Sequence, residues 1–225
     1  MPVSRHVEYP GCMNFRDLGG YPTRDGKALA WGRLYRGGAL ACTDPAVAAQ
    51  TLRQIGLKRV IDLRAGDEVP GLNGDGWPAS CQRLHVPLYR AIRPQWANPT
   101  DRTPLGVARR YMEILEEGLP SVLRIIDALR DVASTPTLIH CAVGRDRTGL
   151  VVACLLDLAG VDDEVIGDDY ALSDAAVQDG EPAHPDTMPL FLGLIRNTYG
   201  STRDMLVGHG ASPRAVEEVS AALLA

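Results

Sequence analysis

Cys141, Arg147 and Thr148, with Gly144 between them, are the residues whose types and spacing can do chemistry in this chain. They lie in His140-Cys141-Ala142-Val143-Gly144-Arg145-Asp146-Arg147-Thr148-Gly149, where the arginine follows the cysteine by six positions. Thr137–His140 reads as a buried strand and Thr148–Ala159 as an apolar helix, so the cysteine opens a tight loop into a helix N-terminus. Such a terminus presents unpaired N–H groups and the positive end of the helix dipole, and it holds tetrahedral oxyanions. The same field favours thiolate over thiol. A nucleophile on the floor of an anion cradle is the apparatus for cleaving a phosphate monoester. Cys141 would attack phosphorus and form a phosphocysteine, which water then hydrolyses. Backbone amides of Ala142, Val143, Gly144, Arg145, Asp146 and Arg147 would hold the equatorial oxygens. The Arg147 fork would grip two of them in a geometry lysine does not reproduce. Gly144 is expected to let backbone approach the phosphate, and Gly149 to allow tight helix packing. Thr148 is expected to hydrogen-bond the sulfur and ease its departure, and His140 to orient the loop rather than transfer protons. A lone buried cysteine is more often a small hydrophobe; Gly144, Arg147 and Thr148 in register speak against that here. The glycine spacing also suggests a nucleotide P-loop, but Leu150-Val151 stands where Lys-Ser/Thr is required.

The segment resembles the signature of the protein tyrosine phosphatase superfamily. Its fuller form is similar to that of the bacterial tyrosine/serine protein phosphatase family of triple-specificity type. Asn14-Phe15-Arg16-Asp17-Leu18-Gly19-Gly20, Leu34-Tyr35-Arg36-Gly37-Gly38, Val60-Ile61-Asp62-Leu63-Arg64 and Asp169-Tyr170-Ala171-Leu172-Ser173 carry the same resemblance over most of the chain. It implies a three-layer protein tyrosine phosphatase-like α/β fold with a mostly parallel central sheet flanked by helices. It also implies hydrolysis of phosphotyrosine, with phosphoserine/threonine and phosphoinositides as further substrates, and no cofactor or metal. Arg16, Asp17, Asp62 and Arg64 carry over by motif position as supporting residues. Arg16 with Asp17, and Asp62 with Arg64, are expected as buried ion pairs that hold the loop. Arg145 stands where the family usually has lysine, and a cation there resembles phosphoinositide phosphatases, in which it meets an inositol phosphate group.

Many relatives place a general-acid aspartate on a mobile upstream loop. Here Trp77-Pro78 is followed by Ala79, so no Trp-Pro-Asp triplet exists. Asp101, in a proline-rich loop, and Asp146, inside the phosphate loop, remain as candidates; Asp146 is favoured, because the resembled family also has aspartate there. For either, the plain alternative is a loop-stabilising carboxylate.

The elements that must position these residues follow from pattern. At 225 residues, 45% apolar and 23% charged, the chain suits one globular domain, 1–225. A net charge of −5 argues against nucleic acid or anionic membranes as partners. From Arg83 to Arg110 there are six arginines and one acid, Asp101; this is either a solvated face or a guide for anionic substrates. Five cysteines without metal or CxxC spacing read as reduced thiols. The N-terminal residues lack the apolar core of a signal peptide. Leu150–Ala159 is interrupted by Asp157 and too short to span a bilayer. A cytoplasmic location without membrane insertion is the default expectation.

Asp25-Gly26 signals a hairpin turn. Asp44-Pro45 starts a helix with Ala48, Leu52 and Ile55 on one face, closed by Gly56. Strands are expected at Lys58–Leu63 and Arg83–Leu88, and helices at Leu105–Glu117, Pro120–Val132, Asp162–Leu172 and Pro189–Tyr199. Two short helices begin at Ser201 and Ser212. Residues 174–199 stand as a candidate lid. The leading reading is a cysteine-dependent phosphatase of phosphotyrosine or phosphoinositide esters, its partner being the phosphorylated substrate. The alternatives are a phosphatase of a soluble inositol phosphate or nucleotide, and an idle phosphate-binding adaptor. Intact Cys141, Asp146, Arg147 and Thr148 argue against the adaptor.

Overall fold

The computed structural model describes residues 4–40, 44–69, 81–91, 93, 96, 99–177 and 182–225. Among these, five strands form one sheet in the order β1-β2-β5-β3-β4. They are β1 (Arg16–Asp17), β2 (Leu34–Gly37), β3 (Arg59–Asp62), β4 (Gln82–His85) and β5 (Thr137–His140). Only β1 runs antiparallel to its neighbour; the other pairs are parallel.

Alternation along the strands divides the core in two. Tyr35, Leu138 and Val60 stand opposite one another across β2, β5 and β3. They pack with Phe15, Leu52 and Leu57 in a cluster that includes the α1 helix (Pro45–Gln54). Leu34, Ile139 and Ile61 belong to the larger cluster on the opposite face. That face is covered by α2 (Pro104–Leu129), α3 (Asp146–Leu158), α4 (Asp163–Ala171), α6 (Thr187–Tyr199), α7 (Thr202–Gly208) and α8 (Pro213–Leu223). A one-turn α5 (Ser173–Ala176) follows α4. The result is three layers, helix–sheet–helices.

Local signals act where expected. Asp44 accepts from the Ala46 and Val47 amides at the start of α1, and the turn at Gly26 closes with Thr23 N–H donating to Lys27 O at 3.0 Å. One expectation fails: the break at Gly118-Leu119-Pro120 does not occur, and α2 is continuous over 26 residues. Gly118 is there for contact rather than termination, since a Cβ would stand 2.9 Å from the Leu88 carbonyl oxygen. Pro120 removes one backbone donor, but buried Leu115, Leu119, Val122 and Ile126 run through it and hold the helix to the core. No helix among the described residues is long and apolar enough to cross a membrane.

The parallel register has one consequence for the site. Gly37, His140, Asp62 and His85 are aligned at the strand ends. The loop that leaves β5 therefore emerges from the middle of the sheet, at the carboxyl edge where ligands of open α/β sheets bind.

Candidate active site

Cys141 follows β5 directly and is 2% exposed. Every carbonyl of the next turn is taken up from outside. Cys141 O accepts from His140 Nδ1 at 2.9 Å, and Ala142 O from the Ala39 amide at 2.8 Å. Val143 O and Gly144 O accept from Asn14 Nδ2 at 3.5 and 3.0 Å. Arg36 donates to Gly144 O at 2.8 Å and to Arg145 O at 3.4 Å. In a trans peptide C=O and N–H point in opposite directions, and no described peptide is cis. Carbonyls drawn outward therefore turn the amides of residues 142–146 the other way, and the Gly144 amide meets Cys141 Sγ at 3.3 Å. At the end of this run α3 begins with Asp146, adding the field of a helix N-terminus.

Gly144 meets a demand from the fold itself. Its φ is +77°, and a Cβ there would lie 2.3–2.6 Å from the backbone of Gly37 and Gly38. It lets the loop dock on the end of β2. Gly149 packs as anticipated: a Cβ there would lie 3.0 Å from Met188 Cε and 3.1 Å from the Tyr170 ring.

The Arg147 guanidinium is held by Glu68, which sits in a single 3₁₀ turn (Gly66–Glu68) after β3. Nη1 and Nη2 each donate to a separate Glu68 oxygen, the second at 2.7 Å. The Tyr89 ring lies 5.1 Å from the guanidinium carbon. Burial opposes the charge on Arg147, but the Glu68 hydrogen bonds and the charge of Cys141 outweigh it, and the pKa rises above the arginine norm. Glu68 in turn accepts from the Ala65 amide at 2.8 Å.

The two candidate acids differ sharply. Asp146 Oδ1 accepts from the Tyr111 hydroxyl, and Arg145 Nε stands 3.4 Å from Oδ2. Asp101 is exposed, and its Oδ1 accepts from the amide and hydroxyl of Thr103, the N-cap of α2. Its pKa falls for that reason. Arg145 is only 3% exposed. Thr148 departs from expectation: its buried hydroxyl has no hydrogen-bond partner and does not reach the sulfur. A β-branched side chain in a helix has few χ1 states, and the one adopted leaves Oγ1 unpaired.

Two buried carboxylates stand behind the loop. Asp62 accepts from Arg64 Nε at 3.0 Å and Nη2 at 2.8 Å, as expected, and also from Arg83 at 2.9 Å. Its Oδ1 is 3.7 Å from His140 Nε2. Burial, the largest effect on His140, lowers its pKa, which suits orientation rather than charge. The expected Arg16–Asp17 pair does not form. Arg16 Nε donates to Asp169 Oδ1 at 2.9 Å, while Asp17 accepts from the Gly19 and Gly32 amides at 2.7 and 2.8 Å. Adjacent strand residues point to opposite faces, so Arg16 and Asp17 cannot meet. Asp169 also binds Arg36 and the Tyr21 hydroxyl. Sequence reasoning assigned no site role to Asn14, Arg36, Glu68, Tyr111 or Asp169; Asn14, Arg36 and Asp169 lay within the quoted motif segments. Trp77-Pro78-Ala79, Cys42 and residues 178–181 of the candidate lid lie outside the described residues.

Comparison with known proteins agrees with this geometry. The family model described as "Tyrosine phosphatase family" matches residues 7–225. The triple specificity protein phosphatase PtpB of Mycobacterium tuberculosis is 34% identical over 197 residues, covering 76% of this chain and 70% of that protein. A tyrosine-protein phosphatase of Nostoc commune is 31% identical over 138 residues, covering 60% of this chain and 46% of the other. Among solved structures, the Siw14 catalytic core superposes with a TM-score of 0.51 at 16% identity, covering 84% of this chain and 87% of that one. That likeness concerns the fold.

Proposed function

Because this chain belongs to the tyrosine phosphatase family and is a phosphatase of that type, we propose that it hydrolyses phosphotyrosine esters through a phosphocysteine. Phosphoserine/threonine and phosphoinositide esters are its further substrates. The observation that carries this reading is the set of outward-held carbonyls from Cys141 to Arg145, which leaves an inward ring of amides around the sulfur. Such a ring is worth most where charge develops on the transferring phosphoryl oxygens.

In the first step Cys141 Sγ bonds to phosphorus as the ester P–O bond breaks, and Asp146 gives its proton to the leaving oxygen. Amides of residues 142–147 and the outer edge of Arg147 hold the three equatorial oxygens. In the second step a water oxygen bonds to phosphorus, its proton passes to Asp146, and the S–P bond breaks to return thiolate. Asp146 is preferred to Asp101 because Asp101 is occupied in holding Thr103, the N-cap of α2.

The test is hydrolysis of p-nitrophenyl phosphate in chelator, followed by a kcat/KM panel over phosphotyrosine, phosphoserine/threonine and phosphoinositide substrates. Turnover without added metal, blocked by vanadate and absent in Cys141→Ser, is expected, with phosphotyrosine peptides preferred. Persistence in Cys141→Ser would overturn the mechanism.

A further inference from the structure

Tyr111 of α2 is wholly buried, with its hydroxyl oxygen 2.5 Å from Asp146 Oδ1 and 2.8 Å from the hydroxyl of Tyr170 on α4. Among the described residues no other hydrogen bond engages either phenol. Each phenol has one hydrogen to give. Tyr170 is 2% exposed, so water is not an outlet for its hydrogen, and the Tyr111 oxygen is the acceptor within reach. The Tyr111 hydrogen is then directed at Asp146. Burial first, and then the negative charge of Asp146, hold the Tyr111 phenol well above its ordinary range, so that hydrogen stays on the phenol. The bonds therefore run one way, from Tyr170 to Tyr111 to Oδ1.

An oxygen that already receives a hydrogen is the poorer place for an acid proton. Oδ2, on a side chain 31% exposed and with Arg145 Nε at the much longer distance of 3.4 Å, is left to carry it. We infer that Tyr170 and Tyr111 form a hydrogen-bond chain of fixed polarity that confines the transferable proton of Asp146 to Oδ2 and aims it at the leaving oxygen of the ester. Tyr111 is thus a positioning residue, and Tyr170 sets its direction. The inference rests on Asp146 being the general acid.

The ring contacts of Tyr111 with Tyr170 and Phe191, each at 6.2 Å between centroids, survive in Tyr111→Phe, so the variant removes the hydroxyl alone. The readout is kcat/KM on phenyl phosphate, whose leaving group needs the acid, against p-nitrophenyl phosphate, whose leaving group needs it much less. Tyr111→Phe is expected to lower the first about tenfold and the second less than about threefold. Tyr170→Phe should move the ratio in the same direction by less. In an Asp146→Asn background, Tyr111→Phe should leave the ratio where Asp146→Asn alone puts it. Equal losses on both substrates, or a further selective loss in the double variant, would overturn the inference. If Asp146→Asn by itself produces no selective loss, the acid assignment fails, which is a separate result from failure of Tyr111 alone.

Discussion

Asp62 and Asp169 each hold two arginines behind the loop of residues 141–147, one from either side of β5. Asp62 works close to home: Arg64 is two residues on, and Arg83 is on the neighbouring strand. Arg83 keeps 17% of its side chain exposed. Asp169 comes from a helix and binds Arg16 and Arg36, 153 and 133 residues away, with all three side chains no more than 5% exposed. The Asp62 group steadies strand ends. The Asp169 group reaches through Arg36 to the loop carbonyls themselves. A charge cluster next to water can relax when damaged, whereas a sealed one that also shapes a binding loop cannot.

The strongest break of this comparison is Asp169→Ala. It leaves two buried guanidinium groups facing each other, and loss of one partner from a buried pair costs about 3–5 kcal/mol. Urea denaturation is expected to show a loss of that size, with p-nitrophenyl phosphate turnover falling by more than the unfolded fraction explains. Asp62→Ala should cost about 2 kcal/mol, because Arg83 can turn toward solvent. Equal costs for the two variants would erase the distinction.

Acid sharpens it further. Burial alone would raise both carboxyls. The Arg64 hydrogen bond at Asp62, and the Arg16 and Arg36 charges at Asp169, outweigh it and hold both well below the carboxylate range. A carboxylate lowered in the folded state contributes stability above its unfolded value of about 3.9, and that stability is lost as pH falls through the folded value. Wild-type stability should therefore decline below about pH 4, and Asp169→Ala should flatten the decline more than Asp62→Ala. The smallest expected effect is in Arg36→Lys. Lysine can still pair with Asp169 but lacks the fork that also reaches two carbonyls, so a rise in the vanadate inhibition constant of about tenfold is expected with little loss of stability.

The same contrast explains what could be read from the sequence. Cys141, Arg147 and the strand–loop–helix order were legible because the chemistry is local and the spacing is strict. Asp62–Arg64 was legible as a pair two residues apart. Arg16–Asp17 was misread because neighbours along a strand diverge, and the true partner, Asp169, has no local mark. Glu68 with Arg147 and Tyr111 with Asp146 are 79 and 35 residues apart, and only the folded sheet brings them together. Pro120 misled because a buried apolar stripe overrides a local breaker. Gly144 stood out by its place in the loop, while its close approach to Gly37 and Gly38 has no local mark in the sequence.

The Glu68 grip on Arg147 has a kinetic meaning. A free arginine side chain surrenders about 2 kcal/mol of rotational freedom when it is immobilised. Here four torsions are frozen as the polypeptide folds, before any ester is encountered. Each incoming phosphate thus meets a guanidinium already at rest, and its affinity is not diminished by having to still one.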